Sequence, residues 1–291
     1  MIGMKWEGPD GSLWDLRDGS SGVQLAQGSV VGLRNPPAGV FSRESSFVDG
    51  QQITGWKLKP RPLELPLDVQ GASEAEWFVR DRAIARAFRV DRPGKLTVVD
   101  PLGGRRTITA RLDEDGGDDG EDNDPSAMLG SSMLIPLVAD DPWYYGQPIE
   151  KVFEYANPDR GFYGPTGYGP PFYLAPATFT GADTLYNPGD AEAWGVLTLP
   201  GPAEGFLVRI GNRVISGFVD GYTLPEGRTL TIDTDPRRSV ARLDTGENVT
   251  RKLTSTQFAA VPDGSTVPVE VIVYGPTVMT LTLVPRYLRA W

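Results

Sequence analysis

Histidine and cysteine are both absent from the 291 residues. Their absence removes the commonest general base, the thiolate nucleophile, the usual zinc ligands and every disulfide. Carboxylates, lysine, tyrosine, serine and threonine remain. They leave open a Ser–Lys nucleophile, a carboxylate pair, or an Asp/Glu site for Ca²⁺ or Mg²⁺. A cysteine-free chain also suits a protein that must behave alike in reducing and oxidising surroundings. No apolar run approaches the ~18 residues of a membrane span. The first eight residues lack the basic and then apolar profile of a secretory signal, so synthesis in a cytoplasm without export by that route is expected. Long helical patterns are scarce as well. The 35 glycines and 26 prolines point to many short strands joined by tight turns.

Charge is unevenly spread. The formal net charge is −10, and residues 113–124 carry eight carboxylates with no basic residue among them. Residues 1–150 hold 16 basic and 24 acidic side chains, so without that loop this half would be neutral. Residues 151–291 hold 12 and 14. The acidity is local, and a nucleic-acid binder by bulk charge is disfavoured.

The chain opens with a hairpin pattern in which a Pro-Asp-Gly turn joins segments bearing Trp6 and Trp14. Short β-segments follow at 23–33 and 40–48, then at 56–59 and 63–69, where Pro60, Pro62 and Pro66 mark edge or bulged positions. One helix is expected over 73–90. Ser73 and Glu76 have the spacing of a capping box, and Trp77, Asp81, Ile84, Ala85 and Phe88 fall near one face. Its opposite side carries Arg80, Arg82, Arg86 and Arg89. A hairpin pattern at 95–112, the acidic loop, and a strand at 127–138 complete an α+β first domain, 1–142.

Residues 143–186 read as a linker, because aromatics interleaved with Gly and Pro at 162–173 cannot form a long regular element. From 187 the pattern turns all-β. An Asn-Pro-Gly-Asp turn (187–190) is followed by Trp194 and short strands at near-regular spacing, the cadence of a β-sandwich. The final segment, 277–291, reads as one long strand whose aromatic and basic end docks on the first domain.

Candidate chemistry is thin. Asp140 with Asp141, and Asp233 with Asp235, are the available carboxylate pairs for a glycosidase, but neighbours on a strand point to opposite faces and 233–236 reads as a turn. Asp113 and Asp115 begin like an EF-hand loop, yet Gly116, Gly117 and a missing twelfth-position glutamate break the ligand pattern. Neither an enzyme nor a resident cofactor or metal is expected. A carbohydrate-binding module contacting host-surface glycans is the alternative reading, with Tyr168, Tyr173 and Trp194 as the aromatic platform.

Taken in order, several segments resemble the distal tail proteins, or minor tail proteins, of long-tailed bacteriophages. They are the early tryptophan hairpin with its glycines, the helix followed by the 96–112 hairpin, the Asp141-Pro142-Trp143-Tyr144 run, the 187–190 turn and the 224–234 strand pair. The resemblance covers nearly the whole chain. It implies a virion structural protein: a mainly-β chain whose N-terminal α+β domain builds a hexameric ring at the distal end of the tail, with a C-terminal galectin-like β-sandwich projecting from it. Such a ring joins the tail tube to the tail-associated hub, or baseplate, and to receptor-binding proteins, with DNA only passing through the lumen and no membrane contact. Six copies would bring the helix arginines Arg82, Arg86 and Arg89 against Asp118, Asp119 and Asp122 of a neighbour, where complementary charge sets register. The acidic loop lining the lumen is the other possibility.

Overall fold

The computed structural model describes residues 2–27, 30–45, 47–114, 125–154, 178–219 and 221–291. They fall into two compact units: Met1–Gly146 together with Tyr287–Trp291, and Gln147–Arg286. The fold is mainly β. Both units are antiparallel throughout the pairings described.

Unit 1 runs β1 (Gly3–Glu7), β2 (Leu13–Asp15), β3 (Val23–Leu25), β4 (Ala38–Ser45), β5 (Val48–Leu58), β6 (Arg61–Gln70), α1 (Glu74–Ala87), β7 (Gly94–Val99), β8 (Arg105–Leu112), the short α2 (Pro125–Met128), β9 (Gly130–Ala139) and β10 (Tyr144–Tyr145). Its main sheet has the order β2-β1-β7-β8-β9-β6-β3, with β10 against β8. The two ends of that order meet: the Leu25 amide donates to the Leu16 carbonyl at 2.8 Å, so the sheet is nearly a closed barrel. On β6 the odd residues point inward. Leu63, Leu65, Leu67 and Val69 are fully buried, and their even neighbours are more open. Glu64 exchanges amide and carbonyl with Val31, so the even residues face the sparsely paired side of β6. Pro62 and Pro66 share that parity, which is where a missing N–H costs least.

Helix α1 closes the core. Ser73 Oγ accepts from the Glu76 amide at 3.3 Å, as the capping box requires, but the Glu76 carboxylate accepts from Ala72 at 2.9 Å rather than from Ser73. Trp77, Ile84 and Ala87 are buried, and the helix ends at Ala87, three residues short of the expected limit, where Phe88 turns extended. Trp6 stacks on Phe88 with ring centroids 4.6 Å apart and donates Nε1 to the Ala87 carbonyl at 2.9 Å. The backbone of Gly94 lies so close to the Trp6 ring that an added Cβ would sit 2.4 Å from it.

Unit 2 comprises β11 (Ile149–Phe153), β12 (Thr178–Tyr186), β13 (Ala193–Pro200), β14 (Gly205–Ile210), β15 (Arg213–Gly217), β16 (Thr229–Asp233), β17 (Val240–Leu243), β18 (Leu253–Thr256), β19 (Ala260–Val261), β20 (Thr266–Tyr274) and β21 (Met279–Leu283). Among the described residues one sheet has the order β11-β21-β13-β16-β17 with β19 on β13, and the other β12-β20-β14-β15-β18. Alternate residues of both sheets enter one apolar core, including Leu197, Leu199, Phe206, Val208, Ile232, Val271, Val273, Leu281 and Leu283.

Several segments differ from expectation. Residues 149–153 and 178–186 lie in the stretch read as linker, yet both are strands, completed by partners eighty or more residues away: Phe153 opposite Met279 and Tyr186 opposite Thr266. The strand expected at 127–138 is a helical turn and then β9, and among the described residues of 23–33 only 23–25 form a strand. The long strand expected over 277–291 stops at Leu283, just before Pro285, and Tyr287–Trp291 belongs to unit 1. The 162–173 insertion lies outside the described residues.

Candidate assembly surfaces

The outer face of α1 is mixed rather than purely basic. Phe78, Val79, Arg82 and Arg86 are exposed, with Phe78 and Val79 one turn before the arginines. Arg80 is folded back onto Glu76 at 2.5 Å and onto the Gln70 carbonyl. Arg89 pairs with Asp91 at 2.9 Å, and this hydrogen bond raises the Arg89 pKa and lowers that of Asp91. Of the expected interface arginines, Arg89 is therefore engaged within its own chain, and Arg82 and Arg86 stay on the open face. Beside the C-terminal end of α1 lies an open groove of about 590 Å³ lined by Ala85, Phe88, Arg89, Val90, Asp91 and Leu112. Asp118, Asp119 and Asp122 lie outside the described residues, as does the truncated EF-hand pattern beyond Glu114.

Strands β4 and β5 form a separate two-stranded sheet, a hairpin from residue 38 to 58. Read separately in sequence, 40–48 and 56–59 gave no sign that they belong to one long hairpin. Val40 stands opposite Trp56, and Ser42 opposite Ile53 beyond a bulge, so Val40, Trp56 and Ile53 share one face. Phe41 is on the other face, with the Lys57 ammonium 5.8 Å from its ring centre. Val40, Phe41, Phe47, Ile53 and Trp56 are between 53% and 95% exposed.

One arginine escaped the sequence reading. Arg61 begins β6 on the inward parity of Leu63 and Leu65 and is fully buried. Its guanidinium donates to the carbonyls of Pro142 at 2.9 Å, Gly32 at 2.7 Å, Leu288 at 2.8 Å and Arg34, and lies 4.8 Å from the Tyr144 ring centre. Burial pulls its pKa below the ordinary value, and burial pushes the Tyr144 phenol up to about 12. The parity of 61, 63, 65, 67 and 69 was the signal available. Nearby, Ala290 donates to the Leu33 carbonyl at 2.9 Å, and the Arg106 guanidinium stacks 3.7 Å from the Tyr287 ring centre. The C-terminal residues are thus held within unit 1.

In unit 2 the 187–190 turn is tied by its own asparagine. Buried Asn187 donates Nδ2 to the carbonyls of Ala191 at 2.8 Å and Val261 at 2.9 Å, and its Oδ1 accepts from the Gly189 amide at 2.9 Å. Trp194 is half-buried on β13, where it stands opposite Ala260. Tyr168 and Tyr173 lie outside the described residues.

The carboxylate pairs are occupied by local contacts. Asp140 meets Arg111 at 3.1 Å, and Asp141 accepts from the Tyr145 hydroxyl at 2.7 Å. Asp233 accepts from the Asp235 amide at 3.0 Å, and Asp235 also binds Arg237, whose hydrogen bond holds the Asp235 carboxyl below its usual range. A general acid needs the opposite shift.

Comparison with solved structures then places this architecture. The fold is similar to that of SPP1 Dit. The crystal structure of that protein, described as a paradigm of the hub adsorption apparatus of phages infecting Gram-positive bacteria, aligns with a TM-score of 0.63 at 14% identity over 98% of this chain and 99% of that one. A chain of the phage P2 baseplate in its activated conformation with Ca aligns at 0.57 and 11% identity, covering 97% of this chain and 98% of that one. The corresponding baseplate structure with Sr aligns at 0.52 and 11%, covering 93% and 98%. No family model and no curated protein matches the sequence itself. Among the described residues no helix is long and apolar enough to cross a membrane, and no group of three or more His, Cys, Asp or Glu side chains is placed to hold a metal.

Proposed function

We propose that the chain is a structural virion protein of the distal tail protein family, forming a ring, six copies by the resemblance, at the distal end of a phage tail. What carries the reading is that both units align in order with SPP1 Dit, over 98% of this chain and 99% of that one. A grafted domain would align over one unit only. In this role the ring joins the tail tube to the tail-tip hub and receptor-binding proteins, and DNA passes through its lumen. The role is structural rather than catalytic, in keeping with carboxylates engaged in local turns and ion pairs. Arg82 and Arg86 on the open face of α1 would meet Asp118, Asp119 and Asp122 of the adjacent copy, a pairing that sets register more than affinity. Gold-labelled antibody against the chain, applied to virions of the phage that encodes it, is expected to decorate the tail end remote from the head. Label along the tube or on the head would overturn the reading.

A further inference from the structure

The β4–β5 hairpin is left uncovered by its own unit. Among the described strands its two members pair only with each other, and both faces are exposed. A lone hairpin is marginally stable in water, and a long apolar edge invites pairing with another chain unless it is blunted or used. At sizes typical of such side chains, Val40, Phe41, Phe47, Ile53 and Trp56 expose on the order of 600–700 Å². The area is divided between two faces and a tip, so a partner that clasps the hairpin would cover most of it, approaching the ~800 Å² that each partner contributes to a stable interface.

We propose that this hairpin is an assembly arm that seats on a second copy of the same chain, in the groove beside the C-terminal end of α1. The inference rests on the ring reading above and specifies the contact. Charge argues for a protein partner: Arg43, Lys57 and Lys59 stand against Glu44 and Asp49, with no run of one sign to match phosphates or lipid headgroups. A second copy is favoured because unit 1 carries both halves of the contact. The arm supplies apolar knobs on two faces and a tip. The groove supplies an apolar recess at Ala85, Val90 and Leu112 with exposed Phe78 and Val79 on the same helix. A knob and a recess at different places on one surface make a head-to-tail interface, which closes into a ring when the rotation permits.

The test uses the full chain with a photoreactive phenylalanine analogue in place of Phe47, mixed half-and-half as unlabelled and ¹⁵N-labelled protein. Irradiation is expected to give mixed-isotope cross-links between residue 47 and peptides containing 85–91 or 112. The double variant Trp56→Ser, Ile53→Ser, compared with wild type, is expected to keep the melting temperature and to self-associate at least tenfold more weakly. If wild type self-associates while residue 47 cross-links only within one chain, or the double variant associates like wild type, the arm is wrong and the ring reading stands. Mixed-isotope links landing elsewhere on the second copy overturn the groove assignment. A wild-type chain that stays monomeric overturns the ring reading and the arm together.

Discussion

Unit 1 and unit 2 differ in how they bury polarity. In unit 1 a single guanidinium, Arg61, reaches four backbone carbonyls from three stretches of chain: Gly32 and Arg34, Pro142, and Leu288. In unit 2 the buried polar groups are short side chains that each answer only one or two carbonyls: Asn187 those of Ala191 and Val261, Thr234 that of Gly195 at 2.7 Å, and Thr277 that of Pro200 at 2.6 Å. The difference follows from topology. The sheet of unit 1 closes through irregular segments far apart in sequence, so inward carbonyls must be answered by a side chain with length and five donors. In unit 2 the distant segments are joined by long strand ladders, and each remaining inward carbonyl is answered by an amide or hydroxyl with one or two donors.

The most damaging change should be Arg61→Met, which keeps much of the volume and removes every donor. Four carbonyls then lose a partner in the interior of unit 1, and a loss of about 3–5 kcal/mol is expected. Hydrogen exchange followed by mass spectrometry should show protection falling in unit 1 and holding in unit 2. Equal loss in both units would break the comparison.

Asn187→Ala should reverse the pattern. It strips one acceptor and two donors from a buried turn, at roughly 2–3 kcal/mol, and the loss of protection should be confined to unit 2. Protection unchanged everywhere would mean that the turn holds without its asparagine.

Alkaline pH should also act on unit 1. Burial raises the Tyr144 pKa to about 12 from 10, so the folded state holds the proton more tightly than the unfolded one. Its contribution is complete below pH 10 and fades as pH rises toward 12, a loss of up to roughly 2–3 kcal/mol. Denaturant titrations at pH 9, 10, 11 and 12 should show this decline, and Tyr144→Phe should flatten it. A decline of the same slope in the variant would assign the effect to other groups.

The smallest effect on unit 1 is expected from the largest alteration. An added Cβ on Gly146 would come within 2.7 Å of the Tyr287 ring, so the points where the chain leaves and re-enters unit 1 are adjacent. Joining 146 to 287 through a short Gly-Ser linker should leave unit 1 cooperatively folded, with a melting temperature within a few degrees of its own transition in the full chain. A molten product would show that unit 1 depends on unit 2.

Much of this was legible from local pattern where local chemistry decides the outcome. Ser73 and Glu76 announced α1, the spacing of Trp77, Ile84 and Phe88 marked its buried side, and Pro62 and Pro66 marked the weakly paired side of β6. What stayed hidden depends on distant partners. Strands 149–153 and 178–186 exist because 279–283 and 266–274 lie alongside them, and nothing near them in sequence says so. The hairpin was missed for a related reason: its apolar residues sit at both parities, Val40 beside Phe41, so no single buried face is implied. Arg61 was missed because arginine is read by default as surface, although its parity placed it inside. For the candidate surfaces, Arg82 and Arg86 are where the helix pattern put them, whereas Arg89 is engaged by Asp91, a neighbour two residues on that the helical face did not reveal.

Mass photometry of the purified full-length chain tests the central claim most directly. A closed ring predicts one dominant species at six times the chain mass that persists on dilution, with few intermediates. A monomer at every concentration would contradict it, and so would an open-ended ladder of masses, because a head-to-tail contact that fails to close gives filaments rather than a ring.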